Sequence, residues 1–136
     1  MVVQSTLTLP SFSRGVHIIT PYIQKRIERI RTGIANIFLL HTSASLAINE
    51  NYDPDVRIDI ENFLRDLIPD NYNRFTHTLE GKDDMPAHLK NIFIGSSINV
   101  PIKGGKLYMG TWQGIYLLEH REHSHKREIV VTLIGE

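Results

Sequence analysis

The sequence of 136 residues contains no cysteine. That excludes disulfides, thiolate-zinc centres and a cysteine nucleophile. It has no basic excess either: Lys plus Arg and Asp plus Glu both number 15, for a formal net charge of zero. A chain built to coat nucleic acid carries more positive charge than this, so no nucleic-acid partner is expected. No apolar run approaches the roughly 18 residues of a membrane span. The first residues, Met1 to Thr6, lack a basic start and an apolar stretch. The expectation is a cytoplasmic protein with no membrane partner. Three motifs are also missing. There is no GxGxxG for a dinucleotide, no HExxH for a zinc protease and no GxSxG elbow to support a serine triad built on Ser43.

What is present is ordinary for a folded domain: 41% hydrophobic and 22% charged residues. The length suits a single domain over residues 1–136 with a real core. Val3, Ser5, Leu7 and Leu9 alternate with polar residues and predict an opening strand. Val16 to Ile19 reads as a second. Thr20-Pro21 has the form of a helix cap followed by proline, and Ile23, Ile27 and Ile30 mark the buried face of a helix ending at Thr32-Gly33. Ile34 to His41 reads as a central strand. Thr42 to Ser45 interrupts it, and Leu46 to Asn49 resumes it.

Asp53-Pro54 repeats the cap-and-proline device before a second helix marked by Val56, Ile60, Phe63, Leu64 and Leu67. A short helix is expected near Pro86 to Asn91. Ile98, Val100 and Ile102 form a strand whose Pro101 suggests an edge or a bulge. Lys106 to Met109, Gly114 to His120 and Arg127 to Ile134 complete the strands, with Arg121 to Lys126 as a polar hairpin loop. The pattern predicts an α+β fold. Its sheet is largely antiparallel or mixed and sandwich-like, with two longer helices and one short one.

The chemistry concentrates between His77 and Lys90, a stretch holding Glu80, Asp83, Asp84 and His88 around Gly81 and Pro86. Asp84 and His88 stand four apart and share one face of a helix that begins near Asp84. His41, at the mouth of an apolar strand, can join His77 and His88 in an open three-histidine zinc site, with carboxylates orienting the rings. The plainer readings are a hydrogen-bonded core histidine for His41 and a helix cap for Asp84. His120, His123 and His125 make a competing cluster, and a solvated hairpin suits them better. Glu119 and Arg127 carry charge inside apolar strands. They either face a cleft or form an ion pair, with each other or across an interface. Asn49 either grips a polar ligand or satisfies a turn. Trp112, between Gly110 and Gly114, is either an aromatic wall beside an anion or part of a packed bend.

Several stretches together resemble the YjbQ family. They are His41-Thr42-Ser43-Ala44-Ser45-Leu46, Asn49-Glu50-Asn51 and Glu80 to His88, then Ser97 through Gly105 to Gly110-Thr111-Trp112-Gln113-Gly114-Ile115. Glu119-His120-Arg121 and the terminal Gly135-Glu136 match as well. The resemblance covers essentially the whole chain. It implies a small α+β domain that associates as a homotrimer around a polar site with metal-binding histidines. It also implies a secondary thiamine-phosphate synthase activity, in which a thiazole nitrogen attacks the methylene of hydroxymethylpyrimidine diphosphate and pyrophosphate departs. On that reading His41, His77 and His88 hold a divalent metal, zinc or, with a diphosphate substrate, magnesium. Asp84 and Glu119 act as base or orient the ligands. Arg127 and Gly105 meet phosphate, and Asn49 reads the ligand's polar edge. The small phosphorylated molecule is the expected partner. A metal-dependent hydrolase of such a compound, or a non-catalytic ligand-binding trimer, are the alternatives.

Overall fold

Alternating apolar residues resolve into two antiparallel sheets in a computed structural model that describes residues 1–123 and 125–136. The strands are β1 (Val2–Thr8), β2 (Gly15–Ile18), β3 (Thr32–Leu39), β4 (Ala44–Glu50), β5 (Ser97–Lys103), β6 (Lys106–Leu107), β7 (Gln113–Glu119) and β8 (Glu128–Gly135). The helices are α1 (Thr20–Gln24), α2 (Pro54–Leu67) and α3 (Asp84–Ile94). The larger sheet has the order β1-β8-β3-β5-β6 and the smaller β2-β7-β4. The class is α+β, as the strand-rich ends of the sequence predict.

Period-two alternation decides what each sheet buries. Leu7, Ile37, Val100 and Val131 of the large sheet and Leu46, Ile115 and Leu117 of the small one belong to one buried apolar cluster. The sheets therefore form a sandwich over one core. Helices α2 and α3 lie against β2 and β4, covering the other face of the small sheet. For that reason β7 is buried from Gly114 to Glu119 on both faces, and His120 beyond it is buried too. No helix packs on the outer face of the large sheet among the described residues.

The helix lengths differ from expectation. Helix α1 stops after five residues, so Ile27 and Ile30 are not on it. Thr20 is not its cap either. The Thr20 hydroxyl accepts the Ile115 backbone N–H at 2.9 Å, and Ile19 lies at the cap position. After Gln24 the chain tightens into i, i+3 turns, with the Arg26 N–H on the Ile23 carbonyl and the Ile27 N–H on that of Gln24, and Arg29 takes a left-handed φ of 65° that no helix continues through. Buried Ile30 reaches the core from irregular chain. The 14-residue α2 is capped as predicted: Asp53 Oδ1 accepts the Asp55 N–H at 2.9 Å. Helix α3 runs for 11 residues, beyond both expected ends. There are still two longer helices and one short one, but the short one is the first.

Pro101 does not sit on an outermost strand. Its strand pairs with β3 throughout, while β6 covers only Ile102 and Lys103. The Pro101 carbonyl accepts from Tyr108 on the β6 side, at 2.8 Å. In an antiparallel strand the missing N–H would point the same way, past the end of β6, so no ladder bond between β5 and β3 is lost.

Candidate functional site

One end of the sandwich, where β3 hands over to β4 through Leu40 to Ser43, receives α3, the preceding 77–83 loop and the end of β7. Three ligand-type side chains converge there. His77 Nε2 lies 2.6 Å and His88 Nε2 3.0 Å from the same oxygen, Asp84 Oδ2. The ligand atoms of all three lie within 4.8 Å of one another. Helical spacing places Asp84 and His88 one turn apart, as the sequence predicts. His77 comes from the loop.

Each member is held from behind. His88 Nδ1 lies 2.9 Å from the Thr42 carbonyl, which can only accept, so Nδ1 carries the proton. With that proton on Nδ1, Nε2 faces a carboxylate oxygen. Two lone pairs at 3.0 Å repel unless a positive centre lies between them, either a proton or a metal ion. Asp84 is held through its other oxygen: Arg121 donates from Nη1 to Oδ1 at 2.5 Å. The same guanidinium donates to Asp83 Oδ2 at 3.1 Å and to the Glu80 carbonyl at 2.8 Å. The Glu122 N–H also donates to Asp83 Oδ2, at 2.7 Å. Asp83, at the cap position of α3, makes no side-chain capping bond.

These contacts set the charge state of the acids. Burial by itself raises the pKa of Asp84, but the hydrogen bond from His77 and the charges of His88 and Arg121 outweigh it and hold the carboxyl below its ordinary value. Asp83 behaves likewise: burial is outweighed by the Glu122 N–H and Arg121. Both are carboxylates at neutral pH. The donor set is thus two imidazole nitrogens and one carboxylate oxygen, a combination that suits a divalent cation with a remaining open position. The backbone carbonyl behind His88 is the kind of partner that fixes a metal-binding tautomer. Two cavities border the triad. One of about 260 Å³ is lined by Tyr72, Phe75, His77 and Lys82 among others, and one of about 310 Å³ by Thr42, His88, Asn91 and Ile92.

The structure brings His77, Asp84 and His88 together and leaves the other expected residues apart. His41 is at the same end but does not join the cluster. Its Nε2 accepts the Glu128 N–H at 2.8 Å. Burial and Arg127 lower its pKa, so the lone pair is held on β8. The expected three-histidine set is therefore replaced by two histidines and an aspartate within one chain.

Glu119 and Arg127 take the plainer of their two readings. They are 0% and 3% exposed and form a bidentate pair, with Arg127 Nε to Glu119 Oε1 at 2.8 Å and Nη2 to Oε2 at 2.6 Å. Arg127 also donates to the Ser43 carbonyl, and the Arg121 N–H donates to Glu119. This pair ties β7 and β8 to the crossover that carries Thr42. Asn49 is at the far end of β4, and its Oδ1 accepts from Glu50 N–H. Gly105 turns with φ of 76° beyond Lys103, which pairs with Thr32 at the start of β3. At about 3.3 Å per residue of extended chain, both stand roughly 20 Å from Thr42.

Two parts of the site escape sequence reasoning. Local pattern assigns Arg121 to a solvated hairpin loop, together with His123, His125 and Ser124, the last outside the described residues. Instead, its side chain is the main brace of the site. The usable signal is the pair Asp83-Asp84, an acidic step that needs a cation once one face of the segment is buried. His120 falls in the same expected cluster. It is buried at the end of β7, and its Nε2 lies 2.9 Å from Ser45 Oγ. Burial, then the cations Lys90, Arg14 and Arg127, push its pKa down to about 3.

That depression has a measurable consequence. A histidine neutral in the fold and ordinary in the unfolded chain stabilises the protein above the unfolded value of about 6.5. Below it the unfolded chain takes up a proton that the folded one refuses. Stability is lost as pH falls from about 6.5 toward about 3. The expected slope is about 1.4 kcal/mol per pH unit. Urea midpoints of the wild type and His120→Gln at pH 7, 6 and 5 test this: the variant should lack that component, and parallel slopes would refute it.

Comparison with known proteins is consistent across the whole chain. Residues 5–136 match the family model described as UPF0047 protein YjbQ-like. The chain is similar to the UPF0047 protein YjbQ of Escherichia coli O157:H7, 47% identical over 136 residues covering 98% of each chain. It is 48% identical over 120 residues to a UPF0047 protein of Methanocaldococcus jannaschii, covering 87% of this chain and 83% of that one. Among solved structures, it is similar to a conserved hypothetical protein from Thermus thermophilus. The TM-score is 0.87 at 30% identity, covering 96% of this chain and 99% of that one. A YbjQ-like protein of unknown function from Sulfolobus solfataricus gives a TM-score of 0.86 at 28% identity, covering 100% and 99%.

Proposed function

The chain belongs to the YjbQ-like UPF0047 family, and from that premise we propose that it is a metal-dependent small-molecule enzyme resembling secondary thiamine-phosphate synthase. The observation that carries the metal part is the convergence of His77 Nε2 and His88 Nε2 on Asp84 Oδ2, with the His88 tautomer fixed by Thr42. These three residues would hold a divalent cation, with zinc favoured by the two imidazoles and magnesium by a diphosphate substrate. When bound, the cation supplies charge neutralisation for a departing diphosphate.

This chain's own residues do the remaining work. Thr42 aims one imidazole and Arg121 keeps the carboxylate ionised and fixed. Asp84 is therefore assigned as a ligand rather than a base. Lys82, on the wall of the cavity beside His77, supplies positive charge near an anionic substrate. Tyr72 and Phe75, with ring centroids 4.7 Å apart, offer an apolar aromatic wall there. In the proposed reaction a thiazole nitrogen donates its electron pair to the pyrimidine methylene carbon. The bond from that carbon to the diphosphate oxygen breaks, and its pair leaves with pyrophosphate. The functional unit is proposed to be a homotrimer.

The test is thiamine phosphate formation from hydroxymethylpyrimidine diphosphate and thiazole phosphate by zinc- or magnesium-loaded protein. Product is expected from the wild type and not from His88→Ala with unchanged circular dichroism. No product above the uncatalysed rate would refute the reading. The donor set also suits hydrolysis of a small phosphorylated compound, and phosphate release with the thiazole substrate omitted would shift the assignment to that reaction.

A further inference from the structure

Helix α2 and strand β2 enclose a cavity of about 320 Å³, larger than either cavity beside the triad and sharing no lining residue with them. Strand β2 is outermost in its sheet, so one of its sides has no partner strand. The Ile19 N–H bonds the Ile115 carbonyl of β7. Antiparallel alternation then aims the backbone groups of His17 and Gly15 at β7 as well, and turns the N–H and C=O of Val16 to the free edge. The His17 ring stands on the same wall. Its Nε2 donates to the Ser13 carbonyl at 2.6 Å, and the ring stacks on Phe12 with centroids 4.6 Å apart. This wall is fixed before any ligand arrives.

The opposite wall carries a cation with no counter-charge. Arg57 of α2 has its Nη1 buried and without a hydrogen-bond partner, and its guanidinium makes no ion pair among the described residues. The acids at helical spacing from it are committed elsewhere. One turn before, Asp53 Oδ1 accepts the Asp55 N–H. One turn after, Glu61 Oε2 accepts from Arg65 at 2.5 Å and faces Arg14 Nε at 3.6 Å. Arg14 lines the same cavity and gives the contrast. It reaches both oxygens of Asp70, at 2.7 and 3.0 Å, and Glu122 at 2.8 Å. A guanidinium cannot shed its charge, and a partly buried one without a carboxylate costs stability. An incoming acid group removes that cost, so binding energy concentrates at Arg57. Val16, Pro54 and Ile58 add apolar surface beside it.

We propose that this cavity is a second binding site, separate from the triad, for a small organic anion. Its carboxylate or phosphate group pairs with Arg57, with the Val16 N–H as a further donor, and its apolar body lies against Pro54 and Ile58. The fork of a guanidinium matches the paired oxygens of either acid group. The cavity volume suits a molecule of small-metabolite size. The inference stands apart from the metal reading, because none of His77, Asp84 and His88 lines this cavity.

The probes are phenyl phosphate and benzoate, added to the full chain freed of metal with EDTA. Backbone amide NMR shifts should move at Val16, His17, Arg57 and Ile58, while those of His77, Asp84 and His88 stay in place. The probe that binds more tightly identifies the acid group as phosphate or carboxylate. Arg57→Met should weaken binding about tenfold or more. It should also raise the urea midpoint of the ligand-free protein, because an uncompensated cation leaves the fold. Ile58→Glu, at a position 55% exposed, should weaken the same probe with the midpoint unchanged. Absence of shifts at these amides with both probes overturns the site, as do shifts confined to the triad. Equal affinity in Arg57→Met overturns it too. A lower urea midpoint in Arg57→Met makes the guanidinium a structural group and likewise refutes the proposal.

Discussion

Asp84→Asn should lower zinc affinity at least 100-fold and should also destabilise the fold. Two effects act through one carboxylate. The amide loses the charge that a divalent cation needs, and it cannot accept from Arg121, His77 and His88 with equal strength. Arg121 remains, its side chain 13% exposed, with Asp83 as its one carboxylate partner. Breaking a buried pair on one side costs about 3–5 kcal/mol where no substitute partner exists. Because Asp83 and the Glu80 carbonyl keep part of Arg121 satisfied, the expected loss lies below that range, about 2 kcal/mol. Isothermal titration with zinc and urea denaturation measure the two effects separately.

His88→Ala gives the contrast. It removes one imidazole but leaves Asp84 with Arg121 and His77, so zinc affinity should fall with little change in the urea midpoint. If Asp84→Asn and His88→Ala lowered stability equally, the brace assigned to Arg121 would be wrong. If both left zinc affinity unchanged, the triad would not be the metal centre. The metal-free protein should also respond to acid. The carboxyls of Asp84 and Asp83 are depressed in the fold, so the stability they contribute is present above the unfolded carboxylate value and is lost as pH falls through their folded values.

The second large effect concerns Glu119 and Arg127. Glu119→Gln or Arg127→Met alone should cost about 3–5 kcal/mol, since each leaves the other charge buried and unpaired. The pair Glu119→Leu with Arg127→Met should be far less costly than the sum of the two single changes. Apolar replacement of both partners removes the desolvation penalty together with the attraction. Urea midpoints of the four proteins form the cycle. The same double variant tests the role expected from the sequence: retained zinc binding and turnover would make the pair a tie between β7, β8 and the crossover. A double variant that folds normally but loses turnover would return Glu119 or Arg127 to the chemistry.

Much of the arrangement is legible without tertiary structure. Strand alternation around Leu7, Val100 and Val131 depends only on local period, and it predicts the buried face of each strand. Asp53-Pro54 predicts the start of α2 because capping is a local contact between a side chain and the next turn. The i, i+4 spacing of Asp84 and His88 is readable for the same reason. The start of α1 misleads because Thr20, a good cap by type, is claimed by Ile115 on a strand far along the chain. Its end misleads because an apolar spacing of three and four does not require helix. Ile30 reaches the same core from irregular chain.

What the sequence determined by itself was therefore the family, the α+β class and the concentration of ligand-type side chains between His77 and His88. Only the tertiary structure decided which groups join it. His41 and His77 are equally plausible ligands on paper. The antiparallel register of β3 on β8 delivers His41 to the Glu128 backbone, while the loop before α3 delivers His77 to Asp84. Arg121 looks like a loop residue until the end of β7 places it against Asp83 and Asp84. Residues far apart in the chain meet through sheet register and crossover geometry, and neither is encoded in the spacing of the residues that meet.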